Sequence, residues 1–192
     1  RDITDDDLLS TLKKFNSLPS DAERPNTRFD DVIGAEDAKD ELRYFIKYLK
    51  EPKEFLKKGA RPPKGILLYG DPGTGKTMLA RAMAGESGVT FLQTSATEFM
   101  DSHVGGSEAN IRRLFAKARK YAPAILFIDE IDAIGKKRTG SETTHHTEGM
   151  LNALLTEMDG FRGADSNRPV FVLAATNSKA RGESGGIGSL DD

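Results

Sequence analysis

Eight consecutive residues constrain this chain more than any other feature. Gly70, Asp71, Pro72, Gly73, Thr74, Gly75, Lys76 and Thr77 fit the pattern G-x-x-x-x-G-K-[ST]. A short apolar run, Gly-Ile-Leu-Leu-Tyr at 65–69, precedes them and reads as a buried strand. Leu79, Ala80, Met83 and Ala84 follow at helical spacing, and Met78 counts with the loop residues as cofactor-binding. Strand, glycine loop and helix in that order turn the pattern into a phosphate site. The glycines let the backbone curl so that several N–H groups face one anion. The helix N-terminus adds its partial positive charge. Lys76 would reach the β- and γ-phosphates, and the Thr77 hydroxyl would ligate Mg²⁺. The Asp71 carboxylate would repel phosphate if it turned inward, so it is expected to face solvent.

A second run completes the site. Ala124-Ile-Leu-Phe-Ile128 is continuously apolar, which suits a strand buried on both faces, and it ends in Asp129 and Glu130. Adjacent carboxylates at a strand end point in different directions and can divide two tasks. Asp129 would hold Mg²⁺ through its water shell. Glu130 would orient and polarise a water attacking the γ-phosphorus.

Composition removes several alternatives. At 192 residues the chain fits one domain with a sizeable core, and 37% apolar with 30% charged residues suits a soluble globular protein. A net charge of −2 makes no electrostatic case for a nucleic-acid surface. There is no cysteine, which excludes disulfides, thiolate nucleophiles and Cys-based zinc sites. No apolar stretch approaches the roughly 20 residues of a membrane span, and no signal-peptide pattern opens the chain. A chain that starts at Arg1 reads as a piece excised from something longer.

Residues 1–24 read as an N-terminal helix and linker. Acids at 5–7 suit a helix start, and Leu8, Leu9, Leu12 and Phe15 follow at helical spacing. Ser17 to Asn26, with Pro19 and Pro25, reads as linker. Residues 25–192 form the main unit. Ala38, Leu42, Phe45, Ile46 and Leu49 mark a helix that Pro52 ends. Thr90–Thr94 reads as a strand, Ser107–Tyr121 as a helix, and Val170–Ala174 as another strand. A further helix carries Met150, Leu151, Leu154, Leu155 and Met158, and a polar, mobile loop is expected over Gly135–Gly149. Alternating strands and helices predict an α/β parallel sheet with ligands at the carboxyl ends of its strands.

With these motifs placed, the chain resembles the AAA ATPases, and within them the ATPase module of the FtsH-type membrane-anchored proteases. The resemblance runs from about Phe29 to Asn177 and rests on several stretches in combination. These are Phe29-Asp-Asp-Val-Ile-Gly34, Tyr48-Leu-Lys-Glu-Pro52, Pro63-Lys-Gly65, Ile128-Asp-Glu-Ile-Asp-Ala-Ile134, Glu157-Met-Asp-Gly-Phe161 and Ala174-Ala-Thr-Asn177. The resemblance implies a three-layer P-loop fold with a five-stranded parallel sheet, ATP or ADP as ligand, and a homohexameric ring. It places Val32 and Ile33 along adenine and gives Asn177 the attacking water or the γ-phosphate. It assigns Asp159, Gly160 and Phe161, with Arg138, to contacts with the next subunit. It also implies a membrane anchor and a zinc protease domain outside this chain, with the module in the cytoplasm or an organelle interior and this fragment soluble. Polypeptides are the implied substrates, with no nucleic-acid partner.

Three departures from the family pattern stand out. The triplet His103-Val104-Gly105 occupies the pore-loop position where the family carries an aromatic residue, and imidazole is smaller and titratable. Ser178–Gly188, rich in Gly and Ser, replaces the family's Arg-Pro-Asp continuation and reads as a flexible loop. The chain stops before the positions of the family's arginine fingers and helical lid, and no His-Glu-x-x-His occurs. His145 and His146 read as solvated loop residues. Two other functions stay open at this point: a remodelling ATPase without a protease, and a nucleotide-gated binding module.

Overall fold

The computed structural model describes residues 22–60, 65–71, 73–99, 106–134, 141–160, 168–177 and 186–189. Four strands make the centre of the sheet: β2 (Gly65–Tyr69), β3 (Thr90–Ser95), β4 (Ala124–Asp129) and β5 (Val170–Thr176). They lie parallel in the order β3-β4-β5-β2. Two short segments close the edges antiparallel: β1 (Ala22–Glu23) on β3 and β6 (Gly186–Ser189) on β2.

The three-layer α/β fold is the expected one. Among the described residues four strands are parallel, and each edge adds a short antiparallel segment. Both segments lie where loop was expected, β1 inside the linker and β6 at the end of the Gly/Ser-rich stretch. Neither has the apolar run that marks a buried strand. An edge pairs through backbone groups alone, and an uncovered edge leaves a row of them without partners.

Strand β4 shows why the layers form. Ile125 and Phe127 enter one core, with Leu42, Ile46, Leu79 and Met83. Leu126 and Ile128 enter the other, with Ile111, Phe115, Met150 and Leu154. Successive side chains alternate faces, so a strand with helices on both sides must be apolar throughout. The first core lies under α1 (Glu36–Lys50) and α3 (Lys76–Ser87), the second under α4 (Gly106–Lys120) and α5 (Ser141–Gly160).

Helix boundaries follow local chemistry. Pro52 ends α1 and also opens α2 (Pro52–Lys57), a first-turn position where its missing N–H costs nothing. Gly88, at φ 67°, closes α3 and donates to the Ala84 and Gly85 carbonyls. Helix α5 starts at Ser141, so the mobile loop expected over 135–149 is corrected for its helical part, which includes His145 and His146. Extending an existing helix gains one hydrogen bond per residue fixed, and no proline interrupts 141–160. The core side of α5 is carried by Met150, Leu154 and Met158, while Leu151 and Leu155 are exposed. The helix expected within residues 1–24 lies outside the described residues.

Candidate nucleotide site

Strands β2, β3, β4 and β5 end on one edge of the sheet, and the expected residues collect there. The loop after β2 reaches α3 through Gly73 (φ 79°) and Gly75 (φ 82°), both in the left-handed region that glycine enters without strain. Gly75 is the N-cap of α3. Thr74 tightens the turn by donating its hydroxyl to the Asp71 carbonyl at 2.8 Å. Asp71 is exposed.

Lys76 draws this edge together. Its ammonium donates to the carbonyls of Gly70 (2.9 Å) and Asp71 (3.1 Å) and to Asn177 Oδ1 (3.1 Å). Three acceptors use its three protons. The bond to Asn177 spans 101 residues and joins the start of α3 to the end of β5. It exists because β5 lies beside β2, an adjacency that strand order alone creates.

Asp129 and Glu130 stand at the end of β4, two strands from β2. Asp129 is half-buried, and its Oδ1 accepts the Glu130 N–H at 2.8 Å. Glu130 is exposed and sits at φ 53°, ψ 40°, a left-handed conformation costing a non-glycine residue about 1–2 kcal/mol. Ser95, at the end of β3, is the register partner of Asp129 and donates its hydroxyl to Glu130 Oε2 at 3.0 Å. The expected strand stopped one residue short of Ser95. A serine in line with a strand-end acid, one strand away, was the available signal. Thr176 donates to Asp132 at 3.1 Å and ties the end of β5 to the turn after β4.

A cavity of about 610 Å³ opens beside the glycine loop. Val32, Ala35, Leu68, Gly70, Gly75 and Leu79 line it, as do Thr74 and Lys76. One end is loop backbone and the Lys76 ammonium; the other is the segment before α1. Of the two residues expected along a base, Val32 is buried and lines the cavity. Ile33 is fully exposed and does not. Thr77 is half-buried and Met78 is 43% exposed. Asp159 and Gly160 are exposed at the end of α5, which an Arg119–Glu157 ion pair fastens to α4. Pro72, His103, Val104, Gly105, Arg138 and Phe161 lie outside the described residues.

Sequence comparison agrees with this geometry. Residues 66–184 match the family described as "ATPase family associated with various cellular activities (AAA)". An ATP-dependent zinc metalloprotease FtsH of Sulfurovum sp. (strain NBC37-1) is 53% identical over 159 residues, covering 81% of this chain and 23% of the relative. The ATP-dependent zinc metalloprotease FtsH 3 of Sphaerobacter thermophilus is 51% identical over 155 residues, covering 81% and 31%. The chloroplastic FTSH 7 of Arabidopsis thaliana is 51% identical over 152 residues, covering 78% and 19%. The chain thus spans about a quarter of the length of such relatives. Among the described residues no helix is long and apolar enough to cross a membrane, and no group of three or more His, Cys, Asp or Glu could hold a metal ion. The chain belongs to the AAA ATPase family, as an AAA module of the FtsH type.

Proposed function

We propose that this chain binds and hydrolyses Mg·ATP and is the motor module of an unfoldase that feeds polypeptides to a zinc metalloprotease. The carrying observation is the convergence of Lys76, Asn177 and the Asp129–Glu130 pair on one sheet edge, beside a cavity of about 610 Å³. The triphosphate takes the loop N–H groups and the Lys76 ammonium, and the base takes the end lined by Val32. Thr77 and Asp129 hold Mg²⁺, since hydroxyl and carboxylate oxygens are the hard donors that ion takes. When bound, the ion neutralises charge on the β- and γ-phosphates. Glu130, aimed by Ser95 and by its left-handed backbone, orients the attacking water and accepts its proton. Asn177, an uncharged amide already on Lys76, holds the water or the γ-phosphate without adding charge.

The relatives' printed names support proteolysis over remodelling alone. In the longer protein we expect a homohexamer in which His103-Val104-Gly105 grips the polypeptide. Asp159, Gly160, Phe161 and Arg138 meet the next subunit. The exposed Leu151 and Leu155 fit such an interface. Segments beyond these residues supply the membrane anchor and the protease zinc. Positioned arginines contribute roughly 10³–10⁵ in rate to this chemistry, so the isolated chain binds nucleotide and turns it over slowly. Calorimetry with Mg·ATP tests the reading: the chain binds, Lys76→Ala does not, and Glu130→Gln binds without turnover in the assembled protein. Equal binding by Lys76→Ala would remove the phosphate site as assigned.

A further inference from the structure

Behind the base end of the cavity lies a buried lysine with no part in the chemistry above. Lys39 is 5% exposed. A charge so enclosed must be paired or hydrogen-bonded. Its ammonium donates to the Val32 carbonyl at 2.5 Å and to Glu36 Oε1 at 3.0 Å. Val32 and Glu36 both line the cavity; Lys39 does not. The Glu36 side chain is 71% exposed, and Lys39 links its carboxylate to the Val32 backbone, both at the cavity.

The surrounding segment is held at several points. Residues 28–32 make a single 3-10 turn, in which the Val32 N–H donates to the Phe29 carbonyl at 3.0 Å. The Phe29 N–H donates to Glu86 Oε1 at 3.1 Å, on α3. Arg43 of α1 stacks 5.5 Å above the Phe29 ring. Both polar groups of Val32 are therefore used, one by Phe29 and one by Lys39. No hydrogen bond to the described residues engages the peptide groups of Ile33 and Gly34. Gly34 and Ala35 then turn left-handed, at φ 80° and φ 56°, into α1.

We infer that Lys39 is a positioning residue for base selectivity: by fixing the Val32 carbonyl it holds the segment before α1, part of the cavity wall, in the course that decides which base the cavity accepts. The inference rests on the nucleotide reading above. Lys39 touches neither base nor phosphate and acts through the backbone. Without it the Val32 carbonyl is free to rotate and to compete for the base, and the distinction between adenine and guanine weakens. Glu36 holds the ammonium in place, so neutralising it has the same effect in smaller measure.

The test separates base from phosphate by using Mg·tripolyphosphate, which has no base, beside Mg·ATP and Mg·GTP. Lys39→Met is expected to lower ATP affinity about tenfold, the value of one hydrogen bond to a charged group. It leaves tripolyphosphate binding unchanged and moves the ATP-to-GTP preference toward one. Glu36→Gln, at a largely exposed side chain, shifts ATP binding roughly threefold in the same base-dependent way and decides the matter if Lys39→Met does not fold. A purely structural lysine would lower the melting temperature and weaken both probes together, or neither. That result would overturn the inference and leave the nucleotide site intact. Failure of the unaltered chain to bind either probe would overturn the nucleotide reading and this inference with it.

Discussion

The two ends of the cavity are built in opposite ways. The end at the glycine loop, proposed for phosphate, is local: eight consecutive residues, with glycine at the left-handed positions 73 and 75. The end before α1, proposed for the base, is assembled from a distance. Phe29 hangs on Glu86, 57 residues away, and Val32 hangs on Lys39. Of its two left-handed positions at the start of α1, one is Gly34 and the other is Ala35, which is not glycine. A glycine from another element contributes as well. A side chain on Gly85 of α3 would stand 1.9 Å from the Thr27 carbonyl oxygen, so the segment leading to Val32 passes directly over α3. An anion asks for backbone N–H groups, which a short loop supplies by curling. A flat base asks for a wall, and a wall needs support from behind.

That contrast can be broken at several points, in order of expected effect. Gly85→Ala puts a methyl group into backbone that cannot swing aside. It should cost at least the 1–3 kcal/mol typical of overpacking, read by chemical denaturation. It should weaken ATP binding more than tripolyphosphate binding. Equal losses on both probes would mean that α3 carries the damage to the phosphate loop and that the two ends are not separable. Ser95→Ala removes a hydrogen bond to a charged carboxylate. Turnover in the assembled protein should fall about tenfold with ATP affinity unchanged; unchanged turnover would show that backbone geometry alone aims Glu130.

Gly75→Ala and Ala35→Gly form a matched pair with opposite signs. Each changes a residue in the left-handed region. Gly75→Ala should lose about 1–2 kcal/mol of stability and also weaken tripolyphosphate binding. Ala35→Gly should gain a smaller amount, up to about 1 kcal/mol, because relief of strain is offset by the greater freedom of glycine in the unfolded chain. A loss at position 35 would mean that the Ala35 methyl, at the cavity wall, is worth more than its strain.

Legibility divides along the same line. The glycine loop, the strands β2, β4 and β5, and the Asp129–Glu130 pair could be read directly, because each is a contiguous run whose meaning is local. Val32 and Ile33 could be read only through resemblance; the structure buries Val32 at the cavity and leaves Ile33 fully exposed. Ser95 fell one residue beyond an expected strand end, and its value appears only when register sets it against Asp129. Leu151 and Leu155 counted toward the apolar face of α5, yet the helix turns Met150, Leu154 and Met158 inward instead. Helical spacing alone does not say which of two adjacent apolar rows meets the sheet.

By itself the sequence determined the α/β class, the phosphate loop and the acidic strand end. A left-handed glycine turn, an uninterrupted apolar strand and a helix start are each decided by neighbours within a few residues. Tertiary structure decided the order of the strands, and with it the bond between Lys76 and Asn177. It decided the pairing of both edges, the seat of Glu130 on Ser95, and the burial of Lys39 behind the cavity wall. Those depend on groups 7 to 101 residues apart meeting at hydrogen-bond distance. Such meetings follow from packing two cores on a twisted sheet, and no local pattern encodes them.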